Sequence, residues 1–361
     1  MNNALRIIAV LCMLNLFSCN KKDKKNGPNL TQETEYISAV DISSYPEIAA
    51  VNPIFFDSNK KQLDFLKILK DNGVNTLRLR LWVQPNGRHC GFEEVRQFSK
   101  TLRNHGFKVW LTLHYSDTWA DPGHQVVPKQ WQGRSRAAVG DSVYAYTEKV
   151  IREIDPNFIQ IGNEINSGFL HPYGTISGNN EDFIALLQRA SIAIRKNSNH
   201  CKIILHYAGI DGAAWFYNAV ASVDYDIIGL SYYPIWHGKS LQALKATLQD
   251  LRTAHNKAVV VAETAYPFTL DWNDWTNNIV GLDAQLILPD YPATGLGQKA
   301  FVQQVKKTVL EIDGGLGFCY WGGELIAWKG DQSTQGSVWE NQALFDFENV
   351  ALPVLSVFRM R

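Results

Sequence analysis

The stretch Phe158-Ile-Gln-Ile-Gly-Asn-Glu164 runs from an apolar segment directly into an amide and a carboxylate. An apolar run of this length is typical of a strand that is buried on both faces of a parallel sheet. Barrel enzymes carry their chemistry at the carboxyl ends of such strands. A second apolar run, residues 258–262, leads into Glu263 in the same way. We therefore expect two acids at the exits of two buried strands.

Strands and helices alternate along the chain around this stretch. The predicted strands are residues 36–41, 75–82, 107–114, 158–162, 202–206, 226–231, 258–262 and 315–321. The predicted helices are residues 59–72, 91–104, 135–154, 182–196, 213–222, 241–255 and 297–311. Such alternation requires right-handed crossovers onto a parallel sheet. The pattern predicts an α/β protein with a single (β/α)8 TIM barrel, the catalytic domain, over residues 35–361.

Composition bounds the function. The 361 residues are 45% hydrophobic and 19% charged, and Lys+Arg and Asp+Glu both number 35. With a formal net charge of zero, nothing directs the protein towards nucleic acid. Eleven Trp and fourteen Tyr are a high aromatic load; core packing is the explanation for about half of them, and the others, where they line a cleft, would suit the flat apolar faces of sugars. No oligomer signal is visible, so we expect a monomer.

The first 34 residues are expected to lie outside the fold. Residues 1–18 have the pattern of a signal peptide, with Arg6 before an apolar run too short to span a bilayer. Leu16-Phe-Ser-Cys19 is typical of a lipobox, which predicts a lipid at Cys19 and a bacterial envelope protein anchored to a membrane. An ordinary cleaved signal with an incidental cysteine is the alternative. The polar segment 19–34 is predicted to be a flexible tether.

Three cysteines remain in the predicted domain, Cys90, Cys201 and Cys319. Their odd number and spacing match no metal motif, and we predict no disulfide framework. A Cys90–Cys201 pair stays open.

Polar and aromatic side chains follow every predicted strand. They are Asp41, Arg78, Arg80, Trp82, His114, Tyr115, Asp117, Trp119, Asn163, Glu164, His206, Ser231, Tyr232, Tyr233, Trp236, His237, Glu263, Trp321 and Glu324. Each alone is more often a satisfied core residue, but their convergence on one rim predicts a site, because unpaired buried polar groups destabilise a fold.

The two acids fit the cleavage of a glycosidic bond. That reaction needs a proton for the leaving oxygen and a carboxylate on the opposite face of the anomeric carbon. A gap of roughly 5 Å between the carboxyl groups predicts retention of configuration, and a wider gap predicts inversion. An arginine would keep the nucleophile ionised and a tyrosine phenol would orient it. No Gly-x-Ser-x-Gly elbow and no Gly-rich phosphate loop is present.

Five motifs in this order resemble family 53 of the glycoside hydrolases, the endo-β-1,4-galactanases of clan A. They are residues 114–123 (HYSDTWADPG), 162–166 (GNEIN), 231–238 (SYYPIWHG), 263–268 (ETAYPF) and 339–347 (WENQALFDF). The resemblance implies retaining hydrolysis of the β-1,4-galactan side chains of pectin and of galacto-oligosaccharides. It implies Glu164 as the general acid/base, Glu263 as the nucleophile, and no catalytic cofactor.

The resemblance also implies a substrate-binding set. Its members are Arg80 or Arg78, His114, Asp117, Asn163, Tyr232 and Trp321 around the reacting galactose, with Asp41 and His237 beside them and Trp119, Trp236 and Trp328 as stacking platforms. Asp117 is a candidate to contact the axial 4-hydroxyl or its neighbours, and Asn163 is the candidate for the 2-hydroxyl. Loop packing is the alternative for each tryptophan.

The same resemblance implies a structural calcium ion. The expected ligands are Asp271, Asn273, the Trp275 carbonyl and Asn277, completed by Ser337 or Glu340. An Asn-rich turn without metal is the alternative. For the whole chain, another clan A activity (mannanase or xylanase) and a non-catalytic glycan-binding lipoprotein are the competing hypotheses.

Overall fold

Eight parallel strands close into one barrel in the computed structural model, which describes residues 36–177 and 180–360. In chain order the barrel strands are Ile37–Asp41, Thr76–Leu81, Lys108–Leu113, Phe158–Ile161, Lys202–Ala208, Ile227–Ser231, Ala258–Thr264 and Gly315–Tyr320. Each pairs with its neighbours in the chain, and the first closes the ring against the eighth, with Ile37 opposite Gly317. The predicted (β/α)8 TIM barrel is confirmed.

Helices connect the strands on the outside. The helices of at least seven residues are Phe65–Asp71, Phe92–Asn104, Arg136–Ile154, Asn180–Asn197, Ala213–Ala219, Leu241–His255 and Gly295–Leu310. Short helical turns are Tyr45–Ala49, Lys129–Trp131, Pro234–His237, Asp283–Gln285, Glu340–Gln342 and Pro353–Phe358, and a two-stranded hairpin joins Gly168–Phe169 to Gly174–Thr175. This hairpin has no predicted counterpart.

The barrel interior is apolar below and polar above. Trp110, Phe158 and Val260 belong to a fully buried cluster contributed by the strands. The guanidinium of Arg78 lies 5.7 Å from the Trp110 ring centroid. A much larger apolar cluster joins the strands to the surrounding helices. The apolar cluster fills the lower part of the barrel, and polar side chains occupy its carboxyl-terminal end.

Several predicted boundaries are wrong. The fifth strand continues to Ala208, and the helix predicted over residues 213–222 ends at Ala219. The helix predicted over residues 59–72 is Phe65–Asp71, because Asp64 caps it and Asp57 holds the preceding segment in a turn by accepting the N–H groups of residues 59 and 61. The seventh strand continues two residues beyond residue 262, so Glu263 lies within it. There the register with the sixth strand shifts, and Ser231 pairs with Glu263.

Cys90, Cys201 and Cys319 are buried and unpaired in the part of the chain that the structure describes, so the Cys90–Cys201 pair does not form there. The predicted signal, lipobox and tether lie outside the described residues. Within residues 36–177 and 180–360, no helix has both the length and the hydropathy needed to cross a membrane.

Candidate active site

An open cavity of about 440 Å³ lies at the carboxyl-terminal end of the barrel. The predicted residues that line it are Asp41, Arg78, Arg80, His114, Trp119, Asn163, Glu164, Trp236, His237, Glu263 and Trp321. Residues from the ends of all eight strands, or from the loops after them, meet here because parallel strands bring their carboxyl ends to one face. Tyr233 and Trp339 also line the cavity, although neither was assigned a role from the sequence.

Glu263 lies against a fixed positive charge. The Arg78 guanidinium is 2% exposed and bonds Glu263 Oε1 through Nη2 at 2.7 Å and Asp41 Oδ2 through Nη1 at 2.7 Å. The Tyr233 hydroxyl donates to Glu263 Oε2 at 3.0 Å. Burial raises the pKa of Glu263, and the Arg78 charge opposes that rise. Both oxygens thus accept hydrogen bonds that favour the carboxylate form.

Glu164 lies in a different environment. Its Oε1 accepts a hydrogen bond from the Ser231 hydroxyl at 2.6 Å, and no ion pair to it occurs in the described part of the chain. Burial and then the charge of Glu263 raise the pKa of Glu164 to about 8. Where the two glutamates share one proton, it resides on Glu164, because the Arg78 guanidinium bonds only Glu263 of the pair.

The two carboxyl groups are close enough to act on one carbon atom. One oxygen of Glu164, one oxygen of Glu263 and a ring nitrogen of His206 all lie within 4.8 Å of one another. Retaining glycosidases hold their carboxyl groups about 5–5.5 Å apart, and inverting enzymes need about 6.5–9.5 Å. Both His206 nitrogens are engaged in hydrogen bonds, so this trio has the character of an acid pair and not of a metal centre.

A tight turn aims Glu164 into the cavity. Gly162 has φ 76° and Glu164 φ 47°, both in the left-handed region. A Cβ on Gly162 would lie 2.4 Å from Ile165 Cγ2, so only glycine fits there. Gln125 braces the turn by donating from Nε2 to the carbonyl oxygens of Asn163 and Glu164. Gln125 was missed because a buried glutamine within a long loop gives no periodic signal.

Two histidines present fixed donors to the cavity. His114 Nδ1 accepts from the backbone N–H of Ala120 at 3.0 Å, and His237 Nδ1 accepts from the backbone N–H of Tyr233 at 3.0 Å. Each ring therefore carries its proton on Nε2. Burial holds the pKa of His114 well below its usual value and lowers the pKa of His237 to about 4. Both stay neutral at pH 7 and can donate to sugar hydroxyls.

Aromatic rings form one wall of the cavity. Trp119 is 42% exposed, and the Arg80 guanidinium lies 3.7 Å from its ring centroid. Trp236 is 55% exposed and stacks on Trp339 with an interplanar angle of 25°. Exposed rings held from behind suit the apolar faces of sugars. Arg80 thus supports the Trp119 ring, and Arg78 is the arginine that pairs with Glu263.

Tyr232 does not reach the cavity. It is 0% exposed, and its hydroxyl donates to the Gly238 carbonyl at 2.9 Å. The phenol that contacts Glu263 belongs to the next residue, Tyr233. Successive side chains at a strand end point to opposite sides, and two adjacent tyrosines give no basis in sequence for choosing between them.

Asp117 and Trp328 also lie away from the cavity. The Asp117 carboxylate accepts the backbone N–H groups of Gln84 and Lys129 at 2.9 and 2.8 Å, and so joins two loops. Trp328 packs against the apolar core with Lys329 over its ring. Neither side chain lines the cavity, and the predicted contact of Asp117 with the 4-hydroxyl and the predicted platform at Trp328 stay predictions.

The predicted calcium loop is held by direct hydrogen bonds. Glu340 Oε1 accepts the backbone N–H groups of Asn273 and Asp274 at 2.6 and 3.2 Å, and the Ser337 hydroxyl donates to the Leu325 carbonyl. Asp271 and Asn277 are exposed. The second oxygen of Glu340 is buried without a partner, which leaves one hard oxygen for a cation.

Comparisons with known proteins match most of this chain to one family. The profile of glycosyl hydrolase family 53 matches residues 37–358. The arabinogalactan endo-beta-1,4-galactanase of Cellvibrio japonicus is 32% identical over 355 residues, 91% of this chain and 92% of the relative. The endo-beta-1,4-galactanase of Bacillus subtilis is 31% identical, over 90% of this chain and 86% of the relative. The solved Ignisphaera aggregans GH53 catalytic domain has a TM-score of 0.85 at 35% identity and covers 92% of this chain and 98% of that one.

Proposed function

This chain belongs to glycosyl hydrolase family 53, and on that premise we propose that it is a retaining endo-hydrolase of the β-1,4-galactosidic bonds in type I (arabino)galactan. The two curated relatives described above carry galactanase names and match about nine tenths of the chain. The single observation that carries the chemistry is the carboxyl pair, with oxygens within 4.8 Å and only one member bonded to an arginine.

The first chemical step forms a glycosyl-enzyme intermediate. Glu263 attacks the anomeric carbon, and the bond from that carbon to the leaving oxygen breaks as Glu164 delivers its proton to that oxygen. Arg78 has until then held the negative charge on Glu263. Asn163 Oδ1 accepts from Arg78 and its Nδ2 donates to the Ala120 carbonyl, so its second amide proton is left for a sugar hydroxyl.

The second step reverses these roles. Glu164, now ionised, takes a proton from water as the water oxygen attacks the anomeric carbon. The ester bond to Glu263 breaks and restores its carboxylate, so the sugar keeps its configuration. The neutral histidines His114 and His237 hold hydroxyls and exchange no proton.

A polysaccharide panel tests the substrate. The purified protein is incubated with galactan, mannan and xylan, and reducing ends and product sizes are followed over time. We expect reducing ends from galactan alone, with long products appearing first, as endo cleavage requires. Hydrolysis of mannan or xylan without galactan would favour another clan A activity, and binding without hydrolysis would favour a glycan-binding role.

We also propose that the loop over residues 271–277 binds a structural Ca²⁺. The unpartnered buried oxygen of Glu340 and the oxygen-rich run from Asp271 to Asn277 support this. At 100 times its Kd, a bound ion would stabilise the fold by about 2.7 kcal/mol. Thermal unfolding in calcium and in a chelator is the test. We expect a higher Tm in calcium and a smaller increase in Glu340→Gln; an equal Tm in both media would refute the site.

Anchoring at Cys19 to a bacterial membrane is a further proposal, supported only by the sequence of residues 1–34. Mass spectrometry of the mature N-terminus after expression in a bacterium that lipidates proteins would detect the acyl chains. Cys19→Ala is the matched variant, expected in the soluble fraction. A mature chain without lipid would refute the anchor.

A further inference from the structure

A line of hydrogen bonds leads to Glu164 through three buried residues that do not line the cavity. Gln160 Nε2 lies 2.9 Å from His206 Nδ1, His206 Nε2 lies 2.8 Å from Ser231 Oγ, and Ser231 Oγ lies 2.6 Å from Glu164 Oε1. Gln160, His206 and Ser231 are each 0% exposed, so no bulk water competes for these bonds. None of the three was assigned a role from the sequence.

The direction of each bond in this line is fixed. Gln160 Oε1 accepts from Arg78, so Nε2 is the end of that amide that faces His206. His206 Nδ1 therefore accepts, also from the backbone N–H of Glu164 at 3.4 Å, and Nε2 carries the proton. That N–H occupies a lone pair of Ser231 Oγ. The single proton of the hydroxyl is left to point at Glu164.

Ser231 is the one hydrogen-bond partner of the Glu164 carboxyl group in the part of the chain that the structure describes. Because Oε1 accepts this bond, the proton of the neutral acid belongs on Oε2. A donor hydroxyl also stabilises the carboxylate more than the neutral acid, since bonds to charged groups are the stronger ones. The bond therefore determines which oxygen of Glu164 carries the proton, and it lowers the pKa of that carboxyl group.

We infer that Ser231, oriented by His206, is a positioning residue that sets the pH at which Glu164 exchanges its proton and aims that proton at the glycosidic oxygen. The inference rests on the proposed function, because it concerns the acid/base of that reaction. The Ser231 hydroxyl lowers the pKa of Glu164 against the rise caused by burial.

Other groups also act on Glu164 and have to stay constant in a test. They come from every element around it: Arg78, Asp121, His206, Tyr233 and Glu263. His206 is neutral, because burial holds its pKa well below its usual value. Replacing Ser231 removes no charge, so a change in the titration of Glu164 would report the lost hydroxyl.

The experiment measures kcat/KM on galactan against pH for the wild type, Ser231→Ala and Ser231→Cys. In Ser231→Ala the alkaline limb should move up by about one pH unit, because the protonated acid persists to higher pH. In Ser231→Cys, whose thiol is a weaker donor, it should move less in the same direction. His206→Phe frees the hydroxyl to turn away and should also raise the limb.

Ser191→Ala is the matched control. It removes a buried serine hydroxyl of the helix Asn180–Asn197 that donates to the Asp224 carbonyl in the loop before the sixth strand, and its pH profile should equal that of the wild type. If Ser231→Ala fails to fold by circular dichroism, Ser231→Cys carries the test. An alkaline limb that stays in place in the folded Ser231 variants, whatever happens to the rate, overturns the inference. If the alkaline limb moves in the Ser231 variants but not in His206→Phe, the inference that His206 orients the Ser231 hydroxyl is overturned.

A direct titration keeps this test separate from the proposed function. The carboxyl carbon of Glu164 is followed by ¹³C NMR, assigned with Glu164→Gln. A wild type that cleaves no galactan would refute the proposed function, and the NMR titration of Ser231→Ala would still decide the inference: a raised pKa supports it and an unchanged one overturns it.

Discussion

Glu164 and Glu263 are the same residue type, with carboxyl oxygens within 4.8 Å, yet their surroundings differ in kind. Glu263 accepts from the Arg78 guanidinium and the Tyr233 phenol. Glu164 accepts from the Ser231 hydroxyl and bonds no cation among the described residues. The difference shows that a role in catalysis is assigned by neighbours, because charge and hydrogen bonds decide which carboxyl keeps the shared proton.

The neighbours differ in how the fold supplies them. Arg78 comes from the second strand and also binds Asp41 of the first strand, so ion pairs connect the nucleophile to the first two strands of the barrel. Ser231 and His206 come from the strands next along the chain and hold the acid without charge. Each substitution below removes a larger or smaller part of this asymmetry.

Glu263→Ala should have the largest effect. Without the nucleophile no glycosyl-enzyme forms, and kcat on galactan should fall by about 10⁴-fold or more. Added azide should restore turnover by attacking the anomeric carbon from the vacated side, and it should give the α-galactosyl azide. Reducing-end assays and NMR of the product measure both outcomes.

Glu311→Ala is the control for the loss of a carboxylate, since Glu311 pairs with Lys245 on the outer surface and should leave activity unchanged. Turnover by Glu263→Ala near the wild-type rate would remove the distinction between the two glutamates.

Glu164→Ala should lower kcat by less than Glu263→Ala does, and the size of the loss should depend on the leaving group. Loss of general acid catalysis should lower kcat on galactan by about 10²–10⁴-fold, and far less on a dinitrophenyl galacto-oligosaccharide, whose leaving group needs no proton. Azide should here give the β-galactosyl azide, because Glu263 still forms the covalent intermediate.

The alkaline limb of the pH profile should also disappear in Glu164→Ala. The same azide anomer from both glutamate variants would contradict the assignment of separate roles.

The sequence alone predicts the two glutamates and the barrel that brings them together. Both glutamates follow from apolar strands that end at polar residues, and the barrel follows from the alternation. The choice between Arg78 and Arg80 does not, because residues two apart on a strand share a face. The structure decides it through register: Asp41 pairs with Arg78, and Arg80 is drawn under Trp119.

The hydrogen-bond partners of Glu164 could not be predicted, because they depend on contacts between residues far apart in the sequence. Ser231 was visible at a strand end, but its partner His206 and the Gln160 side chain that bonds His206 lie on other strands. A single residue of register decides which strand-end hydroxyl reaches Glu164. The irregular pairing of Ser231 with Glu263 interrupts the alternation on which sequence reasoning depends. The helix start at Phe65 was missed for a local reason, since the turn at Asp57 competes with helix in the same residues.

Tyr233→Phe should have the smallest effect on activity, and it tests only the surroundings of the nucleophile Glu263. The Tyr233 hydroxyl donates to Glu263 Oε2, and this bond lowers the pKa of Glu263. Without it that pKa rises, so the ionised nucleophile is lost at a higher pH as the solution is acidified. The acidic limb of kcat/KM should move up by less than about one unit, with about tenfold loss at the optimum, while the alkaline limb stays in place.

The adjacent Tyr232→Phe is the matched control for that prediction. Its hydroxyl donates to the Gly238 carbonyl and lies away from the cavity, so its loss should cost about 1 kcal/mol of stability and leave both limbs unchanged. If Tyr232→Phe moved the acidic limb and Tyr233→Phe did not, the phenol that orients the nucleophile would be the other one. If Tyr233→Phe moved the alkaline limb, the two carboxyl groups would not titrate as the separate acid and nucleophile that their surroundings indicate.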